Sequence, residues 1–279
     1  MAAIGFAPNA ERASAVELAK ATAAWLEDEG HEAVLLPEAG RSTTGFSGVE
    51  NLDLVVSLGG DGTMLRAVGM VMGTSVPVLV VNFGRFGYLA AIEPDGLRRA
   101  LERFLDGDYQ LERRMTIDSR VLGKGAKNPR YCATALNDIT LARPAGMHTI
   151  NASVAISGQR FLSYAADSLI VSTATGSTGY NLSARGPIVS PKLRCLVLTP
   201  VAPHMLFDRS VVLDASDDVS FELHARSPAE LIVDGVPCGQ LELGERLTCS
   251  AGAHDAVLVS FGGKSFETVL KNKFHLTDR

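Results

Sequence analysis

The run Gly59-Gly60-Asp61-Gly62-Thr63 joins an apolar segment, Leu54-Val55-Val56-Ser57-Leu58, to a stretch of helical character from Met64 to Met72. Glycines at a strand-to-helix turn let the backbone approach an anion, and the free N–H groups of a helix start favour negative charge. Gly60, Gly62 and Thr63 are therefore candidate phosphate contacts. A carboxylate in such a cradle is repelled unless a divalent cation bridges it to phosphate, or unless it takes a proton from an attacking hydroxyl. Either role for Asp61 is phosphoryl-transfer chemistry. The alternative is a plain turn with Asp61 as helix cap, and the motif by itself leaves both open.

Three further groups of residues carry candidate chemistry. Gly84-Arg85-Phe86-Gly87-Tyr88 follows the apolar Val78-Leu79-Val80-Val81, as a loop at the same sheet end as the first turn would. Arg85 and Tyr88 are its candidate ligand contacts; the alternative is an ordinary connection with Arg85 in water. Asn137-Asp138 sits among Ala135, Leu136 and Ile139, where Asn can pair with an adenine edge and Asp can accept from a sugar hydroxyl, or both can mark a solvated strand kink. The stretch from Asp167 to Tyr180 joins the apolar Leu169-Ile170-Val171 to the hydroxyl-rich Ser172-Thr173-Ala174-Thr175-Gly176-Ser177-Thr178. A ledge of hydroxyls and exposed amides suits a polyhydroxylated ligand such as a ribose, and its apolar anchors argue against a linker. Neither glycine-rich loop reads G-x-G-x-x-G, and Gly262-Gly263-Lys264-Ser265 lacks the leading glycine of a P-loop. His204, beside Pro203, reads as a structural histidine.

The elements that must hold these residues change character along the chain. Through about residue 108, strand and helix signals alternate: Ile4 and Phe6, then Leu18, Trp25 and Leu26 at helical spacing, then Ala33 to Leu36. Leu97, Ala100, Leu101, Phe104 and Leu105 make one face of a helix that starts near Pro94 and ends before Gly107. Such a βα repeat predicts an α/β domain with a mostly parallel sheet over 1–108. From 109 to 255 the period becomes two, as in Ile150, Ala152, Val154 and Ile156, with turn chemistry at Gly158-Gln159 and Asp234-Gly235. This predicts an antiparallel, β-rich second domain. Residues 256–279 read as a strand followed by a short helix that returns to the first domain.

Composition narrows the partners. A formal charge of −5 with scattered basic residues argues against nucleic acid. No apolar run approaches the roughly 20 residues of a membrane span, and Met1-Ala2-Ala3-Ile4-Gly5 has no leader character, so a cytoplasmic protein is expected. Cys132, Cys195, Cys238 and Cys249 have no zinc or disulfide spacing and read as buried thiols.

Taken in order, Gly59 to Thr63, Asn82 to Leu89, Leu136 to Asp138, Asp167 to Tyr180, Gly186-Pro187-Ile188-Val189 and Pro203-His204 resemble the NAD kinase family. The resemblance covers about residues 50 to 240. The first run is shared with diacylglycerol and sphingosine kinases, whereas the Thr-Gly-Ser-Thr-x-Tyr block is far more specific. The resemblance implies an α/β domain, a sandwich-like β domain and an active site in the cleft between them. It also implies transfer of the γ-phosphoryl of ATP, or of a polyphosphate phosphoryl, to the 2′-hydroxyl of the adenosine ribose of NAD. Asp61 then matches the catalytic carboxylate, Asn137 and Asp138 the pair at the adenosine end, and Asp167, Thr175, Thr178, Gly179, Tyr180 and Ser183 the dinucleotide pocket. A divalent metal, magnesium, is expected with the ATP, and a homodimer or homotetramer is expected, its pocket partly completed by a neighbouring subunit. The chain departs from the family pattern at Asp138 for Glu, Ser168 for Gly, Ala174 for Pro, Gly179 for Ala and Arg185 for Gly. The rival expectations are a lipid or small-alcohol kinase and a dinucleotide sensor without turnover.

Overall fold

The computed structural model describes residues 1–37, 48–83, 92–224, 228–262 and 265–276. The Arg85 and Tyr88 loop lies outside the described residues. Two compact units emerge, one formed by Met1–Arg113 with Ala256–Arg279, the other by Arg114–Asp255.

The first unit begins β1 (Ala3–Pro8), α1 (Ala13–Asp28), β2 (Glu32–Leu35), β3 (Leu54–Gly59), α2 (Asp61–Val71), β4 (Val78–Asn82), α3 (Leu97–Leu105) and β5 (Gln110–Arg114). The second contributes β6 (Ile117–Leu122), β7 (Tyr131–Ala135), β8 (Asp138–Ala142), β9 (Ile150–Ile156), β10 (Gln159–Ala166), β11 (Ser168–Thr173), α4 (Tyr180–Ser183) and β12 (Cys195–Val201). It continues through β13 (Val211–Asp214), β14 (Asp218–Leu223), β15 (Ala229–Val233), β16 (Val236–Leu241) and β17 (Arg246–Ala251). The chain then returns to the first unit as β18 (Ala256–Ser260) and α5 (Phe266–Phe274).

In the first unit one sheet runs β2-β1-β3-β4-β18-β5, and the pairs from β2 to β18 are parallel. Every residue of β3 and β4 is buried, as expected for strands covered on both faces. The helices bury stripes at helical spacing: Ala15, Ala19, Ala23 and Leu26 on α1; Met64, Ala67, Val68 and Val71 on α2; Leu97, Ala100, Leu101 and Phe104 on α3. From β1 the chain winds outward to β2, and from β3 it winds the other way to β4. The carboxyl ends of β1 and β3 thus form a topological switch point, where α/β sheets bind ligands.

The second unit packs two six-stranded sheets, β10-β9-β14-β17-β6-β7 and β13-β12-β11-β8-β15-β16, with antiparallel pairing. Alternation turns Ile150, Ala152 and Val154 of β9 inward. They share a core with Ile117, Tyr164 and Phe221 from their own sheet and Ile139, Leu169, Leu198 and Leu231 from the other. The result is a β-sandwich. β11 is buried along its whole length, because its outer side is covered as well, by a small cluster of Ala174, Val189, Cys195 and Val197.

Two expectations need correction. Cys195 and Cys249 are buried, but Cys132 is exposed and Cys238, packed at the margin of the sandwich core, only half-buried; both lie on edge strands, β7 and β16, which have a neighbour on one side only. The helix after the first glycine run starts at Asp61 rather than Met64, since the Gly60 carbonyl accepts from the N–H groups of Thr63 and Met64. Among the described residues, no helix is long and apolar enough to cross a membrane.

Candidate active site

The Gly59–Thr63 turn stands at the carboxyl end of β3, on the switch point. Gly60 is the N-cap and Asp61 the first helical residue, and no side chain caps the helix. Asp61 is therefore not a cap. Its side chain is exposed, and the N–H groups of Asp61 and Gly62 precede the first helical hydrogen bonds, which Thr63 and Met64 donate to the Gly60 carbonyl. A Cβ placed on Gly60 or Gly62 would meet nothing within 4 Å among the described residues, so neither position is closed by them to an approaching anion. Gly59 is different: a Cβ there would overlap the Thr63 hydroxyl. Thr63 is buried, and its Oγ1 accepts from Arg66 Nη2 at 3.4 Å, so it acts as a packing and orienting residue of the turn. Lys273 of α5 has its ammonium pushed down by burial, an effect opposed by the charge of Asp61.

In the second unit, Asn137, Asp138 and Tyr180 line one cavity of about 360 Å³ together with Thr140, Ala142, Ile232, Asp234 and Gly235. The Asp234 carboxylate builds its floor. It accepts from the backbone N–H of Leu136 at 2.8 Å, Asn137 at 2.7 Å and Asp138 at 3.1 Å. Asp234 (φ 47) and Gly235 (φ 77) both take left-handed backbone, giving the tight hairpin between β15 and β16 that delivers the carboxylate. Asp138 is 5% exposed, and its carboxyl is raised to about 6, first by burial, then by the charge of Asp234, with the Thr140 hydroxyl bond opposing. Burial also raises Asp234, against the pull of its three N–H donors.

The hydroxyl-rich turn after β11 packs onto the same backbone. Thr173 Oγ1 donates to the Leu136 carbonyl at 2.7 Å and accepts from the Gly176 N–H at 2.9 Å. A Cβ on Gly176 would overlap the Asn137 carbonyl, so only glycine permits this approach. Ser177 and Asn181, both fully buried, staple the turn. The Ser177 hydroxyl donates to the Ala174 carbonyl and accepts from Val189 N–H, while Asn181 Nδ2 donates to the carbonyls of Ser177 and Pro187. Thr175 is buried, Thr178 half-buried, and Gly179, Tyr180 and Ser183 exposed.

Not every expected residue gathers here. Asp167 precedes β11, and Thr175 follows it, so roughly 20 Å of strand separates Asp167 from the Asn137 level. There Asp167 pairs with Arg143 at 2.9 Å, whose Nη1 also donates to the Met147 carbonyl. His204 is exposed, and its backbone N–H donates to the Ala165 carbonyl. Asp234 escaped the sequence reading. Its one local signal, the following glycine, announces a hairpin, whereas its hydrogen-bond partners lie 96 to 98 residues away.

Arg185 explains one departure from the family pattern. Gly186 N–H donates to the Asn181 carbonyl and Arg185 N–H to the Leu182 carbonyl, the paired bonds of a Schellman helix end. Arg185 occupies its left-handed position at φ 65, where glycine is unstrained. Arg185→Gly is expected to raise unfolding stability by up to about 1 kcal/mol in a urea titration; a loss of stability would contradict this account of the strain.

Comparisons with known proteins identify the family of the chain. Residues 43–109 match the family model for the ATP-NAD kinase N-terminal domain, and residues 136–261 that for the ATP-NAD kinase C-terminal domain. A NAD kinase of Heliobacterium modesticaldum is 35% identical over 280 residues, covering 98% of each chain. A NAD kinase of Geobacter sulfurreducens is 36% identical over 264 residues, covering 92% of each. Among solved structures, yeast NADH kinase complexed with NADH superposes with a TM-score of 0.89 at 21% identity, over 100% of this chain and 89% of that one. A NAD kinase from Archaeoglobus fulgidus in complex with ATP gives 0.72 at 24% identity, over 98% and 96%. These two likenesses establish the shared fold.

Proposed function

The chain belongs to the NAD kinase family, and from that premise we propose how its residues phosphorylate NAD to NADP. The observation that carries the proposal is the exposed Asp61 at the start of α2, flanked by two glycines with open space above them. A sugar hydroxyl is a weak nucleophile whose attack on a phosphoryl group calls for alignment, charge neutralisation and a base. Asp61 takes the proton of the ribose 2′-hydroxyl, while the amides around Gly60 and Gly62 hold phosphate. Asn137 and Asp138 receive the adenosine end, with Tyr180 as a wall of their cavity. Thr175, Thr178, Gly179 and Ser183 extend that surface along the hydroxyl-rich turn.

Magnesium belongs to this reaction as a companion of the ATP phosphates. Held there chiefly by phosphate oxygens and water, it would neutralise the charge on the phosphoryl group and leave the exposed Asp61 free to act as the base. The family reading further supports a cytoplasmic homo-oligomer, in which Asp167, remote from the cavity along β11, serves a substrate held by a second copy. Arg85 and Tyr88 are proposed as additional contacts from their loop.

The test is incubation of the purified protein with NAD, ATP and magnesium, with NADP read by an NADP-specific dehydrogenase. NADP is expected to accumulate, and polyphosphate in place of ATP identifies the donor. Tight NAD binding with no NADP from either donor would replace the kinase by a dinucleotide sensor. Absence of both binding and product would return the lipid-kinase alternative.

A further inference from the structure

Asp138 on β8 and Asp234 on the β15–β16 hairpin are two carboxylates that line one cavity. Asp234 reaches it from the β15–β16 hairpin and is engaged by three consecutive backbone N–H groups, those of Leu136, Asn137 and Asp138. The Asp234 N–H in turn donates to the Asp138 carbonyl at 3.0 Å, so the two segments clasp each other. We propose that Asp234 is a positioning residue that does two things at once: it fixes the backbone that aims Asn137 and Asp138 into the cavity, and its charge makes capture of the adenosine ribose depend on whether Asp138 carries a proton.

The argument rests on which groups surround Asp138. On its own strand Thr140 Oγ1 donates to Asp138 Oδ1 at 3.1 Å. From β11 the facing residue is Ser172, and from β15 the neighbours are Ile232 and Val233, none of them charged. Tyr180 of α4 brings a phenol to the cavity wall. Among these elements the charge acting on Asp138 is that of Asp234, with no cation to offset it. Three N–H donors stabilise the ionised form of Asp234, whereas Asp138 has one hydroxyl. Asp234 therefore keeps its charge, and Asp138 is the member that takes up a proton first. An ionised Asp138 accepts from ribose hydroxyls; a protonated one has lost much of that capacity. The geometry thus converts a structural tie into an acid-sensitive gate on the nucleotide site.

This inference rests on the NAD kinase reading for the identity of the ligand, but not for the coupling itself, and the experiment separates the two. Carboxyl-carbon NMR on aspartate-labelled protein follows Asp138 without any ligand, assigned by its absence in Asp138→Asn. Its midpoint is expected near about 6. In Asp234→Asn, whose side chain tolerates the left-handed backbone and whose amide oxygen can still accept from Asn137 and Asp138 while the Leu136 bond is lost, the midpoint is expected to move to lower pH. NAD isotherms then read the consequence. Wild-type affinity is expected to fall about tenfold from pH 8 to about pH 5, Asp138→Asn to be weak and flat, and Asp234→Asn to lose less of its own plateau affinity at low pH. An unchanged Asp138 midpoint in Asp234→Asn would overturn the proposal, since a mere backbone tie leaves that titration alone. So would a wild-type midpoint at the ordinary aspartate value. Normal coupling without NAD binding at any pH would instead refute the kinase reading and leave the carboxylate pair standing.

Discussion

Replacing Asp61 with Asn is expected to lower NADP formation by about 10²- to 10⁴-fold, while NAD affinity stays within about twofold of wild type. The substitution preserves the shape of the side chain at the first position of α2 and removes only its charge and basicity. Because Asp61 makes no capping bond, the helix start does not depend on it, so the effect cannot be traced to a lost cap. Removing a negative charge from beside phosphate also leaves ATP binding unimpaired or improved. The expected signature is a fall in kcat with little change in either KM. Equal losses of binding and turnover would mean that Asp61 holds substrate rather than activating it.

Gly176→Ala is expected to damage both the stability of the second unit and its nucleotide affinity. The added methyl would overlap the Asn137 carbonyl, a backbone atom fixed on both sides. Asn137 N–H is held by Asp234, and its carbonyl accepts from Thr173 N–H at 2.9 Å. Overpacking of this kind costs about 1–3 kcal/mol, and the relief available is to push the turn away from the cavity wall. A Tm lower by roughly 3–10 °C is expected, together with a loss of NAD affinity of at least about tenfold, because Asn137 and Tyr180 line the same cavity. Gly179→Ala is the internal control. Its nearest foreign atoms are the Gly176 carbonyl at 3.3 Å and Asn137 Nδ2 at 4.0 Å, so a small adjustment suffices, and near-normal stability is expected. Calorimetry of both variants checks the contrast; a Gly176→Ala protein as stable as the control would contradict the packing described here.

How far the sequence revealed this molecule depends on the range of the forces involved. The helices α1 and α3 and the strands β3 and β4 were legible because burial imprints a local pattern, a period of 3.6 for Leu97, Ala100, Leu101 and Phe104, and a mostly apolar run, with only Ser57 polar, for Leu54 to Leu58. The change to period two beyond residue 109 likewise exposed the antiparallel character of the sandwich strands. The strand-to-helix turn at the glycine run was legible because such a turn is built from adjacent residues, although the start of α2 was placed three residues late. Long-range organisation was not. Asp234 looked like a hairpin residue, since nothing near it in the chain betrays that its carboxylate organises Leu136 to Asp138. Ser177 looked like a member of a polar ledge, yet it is a wholly buried staple, as is Asn181 just beyond it. Asp167 belonged by motif to the pocket, while the register of β11 against β8 sets it at the other strand end.

The central claim, transfer of a phosphoryl group to the adenosine 2′-hydroxyl of a dinucleotide, is tested most directly with γ-labelled ATP and two acceptors, NAD and 2′-deoxyadenosine NAD. The account predicts label in the dinucleotide product from NAD and none from the deoxy analogue, even where competition shows that the analogue binds. Label transferred equally to both would contradict it, because the accepting oxygen would then lie elsewhere.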